Sequence, residues 1–164
     1  MATGYTRLQI ALHWLIAVLI VANYFFSEEM PDNFDGMLEG KPVEGLTPLF
    51  QVWAGVAVLV LVLLRLVFKV LSKGEHEVAV SLQDKAAVWT HRLLYLLMIA
   101  VPVLGMMTWF RSMDATADLH VYAVNALMIL VLGHAAMALF HQYVLKDGLL
   151  PAQIPPRLVK TSRQ

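Results

Sequence analysis

DLHVYAVNALMILVLGHAAMALFHQYVLK, residues 118–146, is apolar over the length of a membrane crossing and carries three of the chain's six histidines, His120, His134 and His141. At 3.6 residues per turn, the fourteen-residue step from His120 to His134 returns to within about 40° of the same face and climbs ~21 Å. The seven-residue step to His141 stays within about 20° and adds ~10 Å. One helix would therefore carry a stripe of imidazole most of the way through a hydrocarbon core of ~30 Å. A single histidine near a helix end is ordinarily an interfacial residue with a satisfied ring. Three on one face are different, because ionisable groups inside a span are costly and turn toward the bundle interior. The stripe calls for partners on other helices.

Composition agrees with a membrane setting. At 59% hydrophobic and 15% charged residues, with a mean hydropathy of +0.67, the 164-residue chain reads as one polytopic membrane domain and not as a water-soluble globule. It has no cysteine, which excludes disulfides, iron–sulfur clusters, thiolate metal sites and thioether-linked haem. Any redox centre must be held by imidazole, by methionine thioether or without a covalent bond. No nucleic-acid partner is expected.

Working outward, three further apolar runs of spanning length precede the quoted one. The first, 8–26, contains His13 and is followed by no small-residue cleavage pattern, so it is read as a helix of the mature chain and not as a signal peptide. Residues 27–47 turn acidic and rich in glycine and proline and are read as an extramembrane loop. The second span, 48–71, carries Gln51 near its start and Arg65 near its end; a polar loop with His76, expected to be solvated, leads to the third span, 85–110. That span has His91 near its start and then Pro102 and Gly105, which can kink a membrane helix without breaking it. A short polar loop, 111–118, leads to the fourth span. The expected architecture is an all-α, four-helix transmembrane bundle over residues 1–147, with a proline-containing tail at 148–164 as surface coil.

Ten of the twelve basic residues, Arg7, Arg65, Lys69, Lys73, Lys85, Arg92, Lys146, Arg157, Lys160 and Arg163, fall on the side of the two termini, against Lys41 and Arg111 opposite. The positive-inside rule places both termini in the cytoplasm. Eight acids (Glu28, Glu29, Asp32, Asp35, Glu39, Glu44, Asp114 and Asp118) lie on the outer side, so that face carries two positive and eight negative charges, a net −6. It should repel small anions at low salt.

In this orientation His13, His91, His134 and His141 share the cytoplasmic half, and His120 stands alone in the outer half. Two facing imidazoles in a bundle core are what a noncovalent b-type haem needs. Zinc fits less well, since there is no short-range pair of histidines with a carboxylate. Arg7, Arg65 and Arg92 at the inner ends are candidates for haem propionates or for ordinary snorkelling to lipid phosphate.

The segment 5–14, Tyr-Thr-Arg-Leu-Gln-Ile-Ala-Leu-His-Trp, resembles the opening of bacterial cytochrome b561 proteins, the group that includes superoxide oxidase. Gly55 with Arg65-Leu66, the stretch from His91 to Pro102-Val103-Leu104-Gly105, Gly133-His134-Ala135-Ala136, His141 and Lys146-Asp147 extend the likeness over nearly the whole chain. The resemblance implies a multi-pass protein of the bacterial inner membrane with one or two b haems, moving electrons between a periplasmic donor and ubiquinone or another membrane quinone. It implies His13 and His134 as iron ligands of the cytoplasmic haem, His120 as a ligand of the periplasmic one, and His91 and His141 as neighbours of the quinone. If the chain is an enzyme, it is expected to be a superoxide oxidase-like, quinone-reducing oxidoreductase. No side chain is expected to act as a catalytic group in its own right. The rival expectations are a haem-bearing anchor or acceptor subunit for a periplasmic redox protein, and a haem-free membrane protein whose histidines are structural.

The sequence departs from the family pattern where a histidine is expected at the head of the second span, since Gln51 stands there. Three outcomes are open: an outer haem held by His120 alone, an outer haem that recruits Met106 or Met107, or no outer haem. The short acidic turn 111–118 is a second departure, and it disfavours the collection of superoxide.

Overall fold

The computed structural model describes residues 6–71 and 82–145. The described chain consists of helices and turns: α1 (Arg7–Phe25), α2 (Met30–Leu38), α3 (Thr47–Leu71), α4 (Leu82–Arg111), a 3-10 turn (Asp114–Thr116) and α5 (Ala117–Phe140), which runs into a π-helical turn (His141–Leu145). α1, α3, α4 and α5 are long and apolar enough to cross a membrane. The expected all-α bundle with four spans is thus present, with limits within a few residues of those read from the sequence. His76 and the tail 148–164 lie outside the described residues.

Local chemistry accounts for the ends of the elements. The Thr6-Arg7-Leu8-Gln9 quartet forms a capping box, in which Thr6 Oγ1 accepts from Gln9 N–H at 3.2 Å and Gln9 Oε1 accepts from Thr6 N–H at 2.9 Å. α4 runs unbroken through Pro102. Thr108 closes the tight connection to α5, bonding to Leu104 O at 3.0 Å and sharing a 2.8 Å hydroxyl contact with Thr116.

The expectation of a loop across 27–47 is corrected by α2, a nine-residue helix within it. Pro31 occupies the first turn, where its missing N–H costs nothing, and Asp32 lies against the positive helix end. Phe34 is the residue that α2 buries. Gly40, at φ +78°, takes the left-handed conformation just past the helix end, with Lys41 N–H returning to Gly36 O at 2.8 Å. Asn33 Oδ1 accepts Glu44 N–H at 3.1 Å and ties down the rest of the connection.

The spans pack in the order of the chain: α1 on α3, α3 on α4, and α4 on α5. α1 is not among the helices that pack closely on α5, nor is α3. The core cluster is Ile16, Val58 and Val62, flanked by Leu19, Ile20, Leu61, Tyr95, Met98 and Ile99. It fastens α1, α3 and α4 to one another at mid-height. α5 stands apart from it, with 6% of its apolar window buried against the rest of the chain.

Contacts between neighbouring spans define the two ends. Arg65 meets Gln9 and Tyr95, and His91 meets His134, at the end where α1 starts and α5 finishes, called the basal end below. α2 and the α4–α5 turn mark the opposite, apical end. All four spans run alternately up and down between them.

Candidate functional site

At the basal end three helices bring histidines into one neighbourhood. The His91 ring on α4 meets the His134 ring on α5 edge to face, with centroids 5.2 Å apart. His13 on α1 lies within electrostatic reach of His134, His91 and Arg65. His91 Nδ1 is 2.8 Å from Ala87 O, one turn back on its own helix. A proton held on Nδ1 in that bond leaves the Nε2 lone pair for another partner.

Arg65 organises the same region. Its Nε donates to Tyr95 Oη at 3.1 Å and its Nη1 to Gln9 O at 3.0 Å, joining α3 to α4 and to α1. Lys69, one turn further along α3, places its ammonium 5.2 Å from the Tyr95 ring centroid. A guanidinium has five N–H groups in a fixed fork, so Arg65 retains donors for an anionic group after both bonds are made. Of the other basic candidates, Arg92 lies over the Trp89 ring at 5.2 Å on an exposed face, and Arg7 is exposed. Tyr95 and Gln9 were missed from the sequence alone. A tyrosine one turn beyond His91, on a helix facing a buried-end arginine, was the available signal.

His141 opens the π-helical turn and meets Phe140 edge to face, with centroids 6.4 Å apart. The structure places it two turns beyond His134 along the same helix. Gln142, next to it, keeps a buried Oε1 with no hydrogen-bond partner. π-helical turns within α-helices often coincide with functional positions.

The apical half contains a different arrangement. His120 reaches across from α5 to α4, its Nδ1 2.9 Å from Val101 O. The ring lies on the backbone of Gly105, where a Cβ would come within 2.9 Å of His120 Cε1. Gly105 therefore serves as the seat of this imidazole, a closer role than the kink expected of it. Gln51 stands at the head of α3 with its Oε1 buried and unpartnered, and Asn23 Oδ1 on α1 is in the same condition. Met106 is partly buried, and Met107 is 37% exposed.

Among the described residues no three His, Cys, Asp or Glu side chains come together as a metal-binding group. The imidazoles are instead distributed over facing helices and over two levels. Closely packed helices lie ~8–10 Å apart, and α1 and α5 are not packed in that way. This distribution, together with basic side chains at the basal end, fits haem better than a bare ion.

Comparison with known proteins agrees with that chemistry. Residues 4–155 match the prokaryotic cytochrome b561 family. The chain belongs to this family. It is 46% identical over 154 residues to cytochrome b562 of Cereibacter sphaeroides, with 94% of this chain and 97% of that protein aligned. A probable superoxide oxidase CybB of Yersinia pestis is 24% identical, over 93% of this chain and 97% of the relative. Cytochrome b561 homolog 1 of Escherichia coli K12 is 28% identical, over 93% and 98%. No solved structure matches significantly. A cytochrome b561 is a bacterial membrane protein that transfers electrons through haem b, and the four apolar spans of this chain are those of such a protein.

Proposed function

We propose that this cytochrome sits in the inner membrane with its basal end in the cytoplasm and passes single electrons between a donor at the apical side and a membrane quinone at the basal side. The observation that carries this reading is the contact of His91 with His134, with His13 and Arg65 of two further helices within electrostatic reach. His13 and His134 hold the basal haem from α1 and α5. When bound, haem supplies reversible one-electron chemistry, at a potential set by its ligands and burial.

The remaining basal side chains serve the quinone and the propionates. Arg65, positioned by Gln9 and Tyr95, offers its remaining N–H groups to a carboxylate. His91 holds a proton on Nδ1 against Ala87 O and presents Nε2 to a quinone oxygen, and His141 serves the same headgroup from α5. Reducing a quinone to quinol takes two electrons and two protons, and imidazole, with one ring nitrogen able to donate and the other to accept, is suited to relay those protons.

Superoxide is one donor consistent with the family: two superoxide ions each give one electron and leave as dioxygen. The acidic apical side argues for slower capture of that anion than of a neutral or cationic donor. A second reading follows from the same surface. Five of the acids lie between Glu28 and Glu39, on and around α2, and they suit docking of a basic periplasmic redox protein. Salt-sensitive co-purification of such a protein would favour the second reading, and superoxide-driven quinone reduction by the isolated chain the first.

The test is redox titration of the purified holoprotein in nanodiscs with a water-soluble quinol analogue. Quinol should reduce the haem of the wild type, and His134→Ala should lose both that reduction and the basal haem. An unchanged haem spectrum in His134→Ala would overturn the assignment.

A further inference from the structure

Four of the five described histidines, His13, His91, His134 and His141, lie in the basal half. His120 is the one described imidazole in the apical half, and it is prepared as a ligand. Its Nδ1 is engaged by Val101 O at 2.9 Å, the kind of carbonyl bond that fixes the tautomer of a metal-binding histidine and leaves Nε2 basic. The ring has little freedom on its α4 side, because the Gly105 backbone lies directly beneath it.

In the same half of the bundle, α3, which packs on α4 as α5 does, carries an amide. From the Arg65–Tyr95 contact, Gln51 lies fourteen residues up α3, ~21 Å, and the His120 seat at Gly105 lies ten residues up α4, ~15 Å. The amide is thus about one helical turn nearer the apical surface than the imidazole. Gln51 Oε1 is buried and has no hydrogen-bond partner, and neither has Asn23 Oδ1. The Phe26–Phe50 ring contact, with centroids 5.6 Å apart, sets the apical ends of α1 and α3 side by side and brings Asn23 to the level of Gln51. Amide O and N can exchange places by a flip, and either orientation leaves one end of each amide unsatisfied in apolar surroundings. Such groups are ordinarily satisfied. Two at one level point to a polar guest.

We propose, resting on the reading above that α5 carries the haem sites, that His120 is the sole protein ligand of the apical haem iron and that Gln51 acts as a hydrogen-bond donor beside an open sixth position. That position takes a small neutral diatomic molecule, whose lone pair binds iron while the amide N–H donates to its outer atom. Binding is reversible coordination and transfers no electrons. The apical haem is then a ligand-binding site as well as a relay, while the basal haem, held by two imidazoles, is a relay alone.

The experiment uses the full-length holoprotein, reconstituted with haem, reduced with dithionite and exposed to carbon monoxide. The expected result is two haems per chain, one of which shifts its Soret band with carbon monoxide. His120→Ala should lose one haem together with the carbon monoxide response. Gln51→His should keep both haems and lose the response, because a second imidazole closes the sixth position. Gln51→Leu should keep haem and response, with the infrared stretch of the bound carbon monoxide moved to higher wavenumber as the hydrogen bond is removed. Failure of carbon monoxide to perturb either haem would overturn the proposal and would point to a thioether ligand such as Met106. A haem content unaltered by His120→Ala would overturn it as well, while leaving the basal reading standing. An unmoved stretch in Gln51→Leu would remove Gln51 from the site. A chain that takes up no haem would instead refute the proposed function itself.

Discussion

The two ends of this bundle use one helix for different purposes. At the basal end His134 of α5 is met by His91 from α4, with His13 of α1 in the same neighbourhood and Arg65 binding three helices together. At the apical end His120 of the same helix is met by a backbone carbonyl and a glycine, with unpartnered amides in place of imidazoles. The lesson is that a regular stripe of histidines on one helix does not define a symmetric pair of sites. The facing helices decide what each histidine does, and here they differ.

The strongest way to break the comparison is to remove the shared helix's proposed haem ligand at each end. His134→Ala is expected to lower quinol-driven haem reduction on the order of 100-fold or more, since even changes behind a metal ligand cost 10–100-fold. Stopped-flow spectroscopy reads this directly. A loss of similar size in His120→Ala under the same assay would show that quinol reaches haem from both ends and would dissolve the distinction.

A subtler perturbation acts on the apical seat. In Gly105→Ala the new methyl would stand 2.9 Å from His120 Cε1, against an imidazole held in place by its bond to Val101 O. We expect a loss of about 1–3 kcal/mol in stability from overpacking and a changed spectrum for the apical haem alone. Alanine at Gly36 of α2, where a Cβ meets only the Lys41 side chain at 3.8 Å, is the control and should leave both haem spectra unchanged.

The basal brace should give a smaller effect. Arg65→Met removes two hydrogen bonds to a charged group, each worth about 1.5–3 kcal/mol when buried. Because Arg65 is only half-buried, we expect the combined loss to fall near the lower figure, read as a lower midpoint in thermal unfolding of the detergent-solubilised protein. Tyr95→Phe should cost about 0.5–1.5 kcal/mol and shift the basal haem potential while sparing the apical one. The smallest expected effect is at the apical rim, where Glu39→Gln breaks an exposed ion pair with Lys41. Such pairs contribute at most about 1 kcal/mol, and a larger change by the same thermal measurement would mean that the rim supports the fold.

The spans were legible because a membrane helix must satisfy its backbone internally and present apolar side chains outward, and runs such as 48–71 contain little else. α2 was not legible. Pro31, Gly36 and Gly40 read as turn residues when counted by composition, whereas their positions, Pro31 in the first turn and Gly40 just beyond the last, are those of a short helix. The gathering of histidines at one end could be read from spacing and chain direction alone. The Arg65–Tyr95–Gln9 brace could not, since it depends on which helices become neighbours and on which rotation each adopts. Gly105 shows the same limit: beside Pro102 it reads as a kink, and the absence of its side chain acquires meaning only once His120 is placed against it.

Each close pairing of spans joins a helix to the next span in the chain: α1 to α3, α3 to α4, α4 to α5. Assembly can therefore keep pace with synthesis, each pairing forming as the later helix leaves the ribosome and enters the bilayer. A chain halted after Arg111 would already have the core of Ile16, Val58 and Val62 and the Arg65 brace, yet neither His120 nor His134. In this molecule the scaffold is finished before the histidines of its last helix have been translated.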